Sequence, residues 1–179
     1  MSQSGSAYAQ ALYSLGRDEG IESVILEELE ALQTAFSQEP DYLRLLSAAN
    51  ISKEERCRML DEGFRGKIQP YLLNFLKLLV EKNKIYSFPE CCRDYREQYD
   101  ADNGILAVNA VSAVALTETQ RQALTEKLSR ITGKTIRLNN RIDPDCLGGV
   151  RLDYDGKRVD GTVQNRLNAI HKMLENTVL

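Results

Sequence analysis

Apolar residues recur every three or four positions through the first hundred residues of this chain, then change period at Asp102-Asn103-Gly104. No single kind of element satisfies both patterns, because side chains repeat about every 3.6 residues around a helix and every second residue along a strand. The break divides the chain into residues 1–104, read as an N-terminal six-helix bundle, and residues 105–179, read as a small α+β domain. The expected fold class is mainly α.

Before the break, Tyr8, Leu12 and Leu15 share a helical face. After an interruption expected at Gly16 to Gly20, a longer stripe follows in Ile21, Ile25, Leu29, Leu32 and Phe36, and Pro40 ends it. Asp41 to Ser47 reads as a short helix. Ser52-Lys53-Glu54-Glu55 reads as a capping-box start, with hydroxyl and carboxylate satisfying free N–H groups reciprocally, and that helix closes at Phe64. Ile68 to Val80 is apolar almost all round, as in a helix that sits in the middle of a bundle or lends one face to a partner. Lys82-Asn83-Lys84 places cations at its carboxyl end, and Phe88, Cys92, Tyr95 and Tyr99 space out a last helix. Glu27, Glu28 and Glu30 read as a solvated helix face.

After the break, Ile105 to Val114 reads as a strand covered on both faces, being apolar on both. Thr117 to Gln120 opens a helix carrying Ala123, Leu124, Leu128 and Ile131, which Gly133 ends. Ile136, Leu138 and Ile142 make Thr135 to Ile142 a half-buried strand, and Asp143-Pro144-Asp145 turns the chain. Asp155-Gly156 suits a type I′ hairpin turn, which sets Tyr154 against Lys157, Asp153 against Arg158 and Leu152 against Val159, with Val150, Leu152 and Val159 on one face. Asp160 then reads as the N-cap of a final helix whose apolar face is Val163, Leu167, Ile170 and Leu174. The order is β-α-β-β-β-α.

Gly148-Gly149-Val150, and Asp160-Gly161 followed by Arg166-Leu167, carry a resemblance that extends upstream to Tyr8-Ala9-Gln10-Ala11-Leu12, Asn74-Phe75-Leu76 and Leu78-Leu79. Over nearly its whole length the chain resembles the delta subunit of bacterial F-type ATP synthases, whose mitochondrial counterpart is the oligomycin-sensitivity-conferring protein. Thr162 stands where that family usually has Ser, and Gln164-Asn165 replace a smaller, more basic pair. The resemblance implies a non-catalytic stator subunit, present in one copy, that links the catalytic head to the peripheral stalk during ATP synthesis coupled to ion transport. It implies a peripheral location on the cytoplasmic face of the cell membrane, with the helical domain holding N-terminal helices of the alpha subunits and the C-terminal domain holding the ends of the b subunit. The residues expected to meet the alpha-subunit helix are Ala7, Tyr8, Ala11, Leu12, Leu72, Phe75, Leu76 and Leu79. Gly148, Gly149, Val150, Asp160, Gly161, Arg166 and Leu167 are expected to serve the fold and stalk docking.

Charge and motif content point away from other classes. With 23 basic against 26 acidic residues the net charge is −3, whereas a protein that grips phosphates needs a basic excess. The alternative reading, a helical-bundle RNA-binding regulator, is disfavoured on that ground. No apolar run approaches the roughly 20 residues of a membrane span, so no direct membrane insertion is expected. The opening MSQSGSAYAQ has neither the basic nor the apolar part of a signal peptide. Gly133-Lys134-Thr135 imitates the end of a phosphate loop, but Leu128 stands where the leading glycine belongs. His171 is the only histidine, and Cys57, Cys91, Cys92 and Cys146 fit no metal-ligand spacing, so they read as structural thiols. No catalytic, metal-binding or cofactor-binding residue is expected, and no cofactor.

Overall fold

The computed structural model describes residues 3–163 and Asn165, with backbone alone for residues 3–6. The fold is mainly helical with a small four-stranded mixed sheet, and it divides into two compact units, Met1–Tyr99 and Asp100–Leu179.

In the first unit, helix α1 (Gln3–Asp18) runs through Gly16 instead of breaking there. Glycine at that position serves packing: a Cβ on Gly16 would stand 2.9 Å from the Tyr95 hydroxyl and 3.1 Å from Ile25 Cδ1. The turn falls at Gly20, whose φ of 66° suits a residue without a Cβ, and α2 (Glu22–Gln38) follows. Helix α3 (Pro40–Ser47) begins on a proline, whose missing N–H costs nothing in the first turn. Helix α4 (Lys53–Phe64) is capped by Ser52, whose Oγ accepts from the Glu55 amide at 3.1 Å. Helix α5 (Pro70–Glu81), a 3₁₀ turn (Ile85–Ser87) and α6 (Phe88–Asp102) complete the helical run.

The core of this unit gathers Ile25, Leu29, Leu46, Leu60, Leu72, Leu76, Leu79, Phe88 and Tyr95, all fully buried. Tyr95 donates its hydroxyl to the Glu22 carbonyl at 3.0 Å, and burial holds its pKa well above the usual value. The acidic run on α2 is not simply a solvated face. Glu28 accepts the Gln69 amide at 2.8 Å, satisfying a free N–H at the start of α5, and Glu30 pairs with Arg96 at 2.5 Å. The unit also buries a cation: Arg56, 3% exposed, donates to the Leu46 carbonyl at 3.0 Å and to Asn83 Oδ1 at 3.3 Å. Both acceptors lie at the carboxyl ends of helices, α3 and α5, where unpaired carbonyls carry partial negative charge.

The second unit holds β1 (Ile105–Ser112), α7 (Glu118–Thr132), β2 (Thr135–Ile142), β3 (Val150–Tyr154) and β4 (Lys157–Asp160). The sheet order is β2-β1-β3-β4, with β1 parallel to β2 and antiparallel to β3. The hairpin register is Tyr154 to Lys157, Asp153 to Arg158 and Leu152 to Val159, as the turn sequence requires, and both Asp155 and Gly156 have positive φ. Helix α7 has both halves of a capping box between Thr117 and Gln120 and ends on left-handed Gly133. Asn140 bridges the end of β1 to the approach to α7, donating to the Ala110 carbonyl at 3.0 Å and accepting the Leu116 amide at 2.8 Å.

Val108, Ala110, Leu128, Ile136 and Leu138 form the core here, with Val150 and Leu152 packed against it. Ala107 and Asn109 are exposed, so the midsection of β1 is covered on one face, not two. The apolar face of α7 is narrower than its sequence suggests, since Ala123 is exposed and Ile131 is 72% exposed near the helix end. Val159 is half exposed because β4 is the edge strand.

Candidate functional site

Helices α1 and α5 run antiparallel along a shallow groove of about 240 Å³ with almost entirely apolar walls. One wall is Tyr8, Ala11, Leu12 and Leu15; the other is Tyr71, Asn74, Phe75 and Leu78. Each set steps by three and four residues, which places it on a single helical face. The antiparallel arrangement shows in the two end contacts. Lys84, just beyond α5, holds its Nζ 5.7 Å from the centre of the Tyr8 ring near the start of α1. At the opposite end the charge of Glu19, just beyond α1, raises the pKa of Tyr71, in the first turn of α5, above its ordinary value.

Of the residues expected to meet a partner, Tyr8, Ala11, Leu12 and Phe75 line this groove, Leu12 and Phe75 as buried core residues at its floor. Ala7 is exposed but does not line it. Leu72, Leu76 and Leu79 are fully buried on the opposite side of α5 and serve the core instead. The reason is geometric: α5 carries two apolar faces, and only the one interrupted by polar Asn74 is open. Leu15, Tyr71, Asn74 and Leu78 complete the walls, with Leu15 48% and Tyr71 36% exposed. Asn74 was the available signal, since one amide in an apolar run marks the side that meets solvent.

The glycine pairs of the C-terminal signature meet each other through the backbone. A Cβ on Gly149, whose φ is 81°, would stand 2.5 Å from the Gly161 carbonyl oxygen and 3.0 Å from Thr162 Cα. The Gly161 amide donates to the Val150 carbonyl at 3.1 Å, and the Val163 amide to the Gly148 carbonyl at 2.9 Å. These two bonds clasp the segment entering β3 against the segment leaving β4. The helix cap differs from expectation. Asp160 ends β4, and Thr162 occupies the cap position, its Oγ1 accepting the Asn165 amide at 3.2 Å. Asp160 supports that cap, accepting the Thr162 hydroxyl at 2.7 Å and the Thr162 amide at 3.0 Å. The shift follows from the sheet: pairing with Arg151 holds Asp160 in the ladder, two residues too early to cap. Those bonds hold the Asp160 carboxyl below its ordinary pKa. Arg166 and Leu167, with Ile170, His171 and Leu174, lie outside the described residues.

The thiols are free, and Cys91, Cys92 and Cys146 are buried. Burial pushes Cys91 up to about 11 and Cys92 up to about 12, so neither is a thiolate at neutral pH. Gly133-Lys134-Thr135 is the end of α7 entering β2. Among the described residues no helix is long and apolar enough to cross a membrane.

A family model described as ATP synthase delta (OSCP) subunit matches residues 5–174. The ATP synthase delta subunit of Clostridioides difficile is 30% identical over 172 residues, covering 96% of this chain and 95% of the relative. That of Desulfitobacterium hafniense is 31% identical over 169 residues, covering 94% of each. A chain in the cryo-EM structure of the Toxoplasma gondii mitochondrial ATP synthase hexamer shares the fold, with a TM-score of 0.74 at 17% identity, covering 95% of this chain and 96% of that one. The chain therefore belongs to the ATP synthase delta (OSCP) subunit family and is a non-catalytic stator subunit of an F-type ATP synthase.

Proposed function

We propose that residues 1–104, taken as a six-helix bundle, hold the catalytic head by seating an N-terminal helix of an alpha subunit in the groove between α1 and α5. In this reading residues 105–179 hold the ends of the b subunit, and one copy joins head to peripheral stalk so that rotor torque does not spin the head. In the same reading the chain sits peripherally, at the cytoplasmic face of the membrane. The observation that carries the reading is an open apolar groove, with Leu15 and Tyr71 exposed, on a unit whose core is already filled by Leu72, Leu76 and Leu79. An amphipathic helix laid there gains about 25 cal/mol per Å² of apolar surface removed from water, less the cost of ordering.

Holding under load requires slow release. Two moderate attachments on two units supply it, because loss of one leaves the other end tethered at high local concentration. The family assignment lends no support to nucleic-acid binding. The test is a titration of the full chain with labelled peptides from the alpha N terminus and the b C terminus. Leu15→Asp and Leu78→Asp are expected to abolish alpha-peptide binding and to spare b-peptide binding. Loss of both, with the helical circular dichroism intact, would overturn the division of labour.

A further inference from the structure

We infer that the outer edge of β2 is a strand-addition site: an extended, acidic segment of a partner protein pairs with it antiparallel, lying in the groove between β2 and α7. The sheet has two edges, and they are unlike. Strand β4 has four residues, all exposed. Strand β2 has eight, pairs in unbroken register with β1 along one side, and has no strand on the other among the described residues. The Thr135 and Asp143 amides donate to the Gly104 and Ser112 carbonyls at 3.0 and 2.9 Å, so every second residue from Thr135 onward turns its backbone groups to β1. Ile136, Leu138, Asn140 and Ile142 therefore turn their N–H and C=O groups outward. Brevity, a proline, a bulge or charge commonly blunts such an edge. Between Thr135 and Ile142 only charge is present, and it selects a partner instead of forbidding one.

Beside this edge lies a groove of about 460 Å³, lined by Ile136 and Leu138 of β2 and by Arg121, Gln122 and Thr125 of α7. The pleat of an added strand sends every second side chain into that groove and the others to the opposite face of the sheet. Alternation along β2 puts Arg137 and Arg141 on that opposite face, Arg137 paired with Asp100 and Arg141 exposed. From Lys134 to Ile142 the chain carries three cations and no anion, although its net charge is −3. An occupant with small apolar or hydroxyl side chains toward α7 and a carboxylate opposite Arg141 satisfies both faces, while main-chain bonds to the four outward residues hold it in place. A second copy of this chain does not fit as well. Symmetric antiparallel pairing of two β2 strands about Asn139 sets Arg141 opposite Arg137, like charge against like.

The test titrates the full chain with synthetic peptides of about eight residues, a usual strand length, in which Val or Thr alternates with Glu, and reads amide hydrogen exchange. Exchange at Ile136, Leu138, Asn140 and Ile142 is expected to slow about tenfold or more, while Arg137 and Asn139, already bonded to β1, stay unchanged. N-methyl groups on every second peptide residue remove donors from one side of the peptide alone. In one phase they are expected to abolish binding and in the other to spare it. Arg141→Glu is expected to weaken the acidic peptide about threefold at low salt and to improve binding of a peptide with Lys in place of Glu. Equal tolerance of both methylation phases, or protection away from β2, overturns the strand pairing. Affinity unmoved by Arg141→Glu overturns the acidic preference, and failure of every peptide to bind overturns the site. Slowed exchange at the same four amides on concentrating the chain alone would assign the edge to a second copy and overturn the partner inferred.

Discussion

Gly149 and Gly161 touch backbone to backbone, so closely that a Cβ on Gly149 would lie 2.5 Å from the Gly161 carbonyl oxygen. Neither partner can move aside, because hydrogen bonds from Gly161 to Val150 and from Val163 to Gly148 fix both segments. Gly149→Ala adds that clash to a φ of 81° and is expected to cost about 3 kcal/mol or more, unfolding the C-terminal unit at physiological temperature. Gly156→Ala is the control. Its φ is 68° but no atom lies within 4 Å, so strain alone, about 1 kcal/mol, is expected. Thermal melts of the two variants separate clash from conformation.

Groove and core positions are expected to behave differently, even on the same helix. Leu15→Ala and Leu78→Ala remove exposed or half-exposed groove wall and should weaken alpha-peptide binding about tenfold with melting temperature nearly unchanged. Leu76→Ala, buried on the opposite side of α5, should cost about 2–5 kcal/mol of stability. Calorimetric titration and urea unfolding on the same preparations check both.

Arg56 ties α4 to the ends of α3 and α5. Arg56→Ala is expected to cost about 3 kcal/mol, because it leaves a cavity together with the unpaired Leu46 carbonyl and Asn83 amide oxygen. Asn83→Gly relieves a non-glycine φ of 54° but removes one acceptor from a buried cation, so a smaller loss of about 1 kcal/mol is expected. Denaturant midpoints rank the two.

Among the described residues, Asp61 through Lys77, Asp153 through Arg158 and Asp160 through Thr162 hold their carboxyls below the ordinary pKa of 3.8. A group whose folded pKa is depressed contributes stability fully above its unfolded pKa, and that contribution is lost as pH falls through the folded value. The melting temperature should therefore be insensitive to these groups near neutrality and should fall below about pH 4. Asp160→Asn should flatten that acid slope, as a pH series of melts would record.

Local chemistry was legible in the sequence wherever a few adjacent residues decide the outcome. Asp155-Gly156 set the hairpin register, Thr117 to Gln120 set the start of α7, and Gly133 its end. Elements that depend on distant partners were not. Nothing in Ile105 to Ser112 says that this strand pairs parallel on one edge and antiparallel on the other, and Asp160 looked like a cap until its ladder partner Arg151 was known. The groove was half legible for a related reason. Periodicity finds the apolar faces of α5, but with two of them present it does not say which one the core takes. Leu72, Leu76 and Leu79 went inside, Phe75 is buried in the core yet reaches the groove wall, and Tyr71 and Leu78 are left at the surface.

Strand β1 enters the second unit from α6 as an interior strand, bonded to β2 along its whole length and to β3 along its second half. Tension drawn along it from Ile105 loads those bonds side by side, in shear, so many must yield together. The edge strand β4 has a single neighbour and can be unzipped one rung at a time. Stretched in a force spectrometer, the unit should hold far better when gripped through β1 than when peeled from β4, which is the mechanical anisotropy a brace against rotation requires.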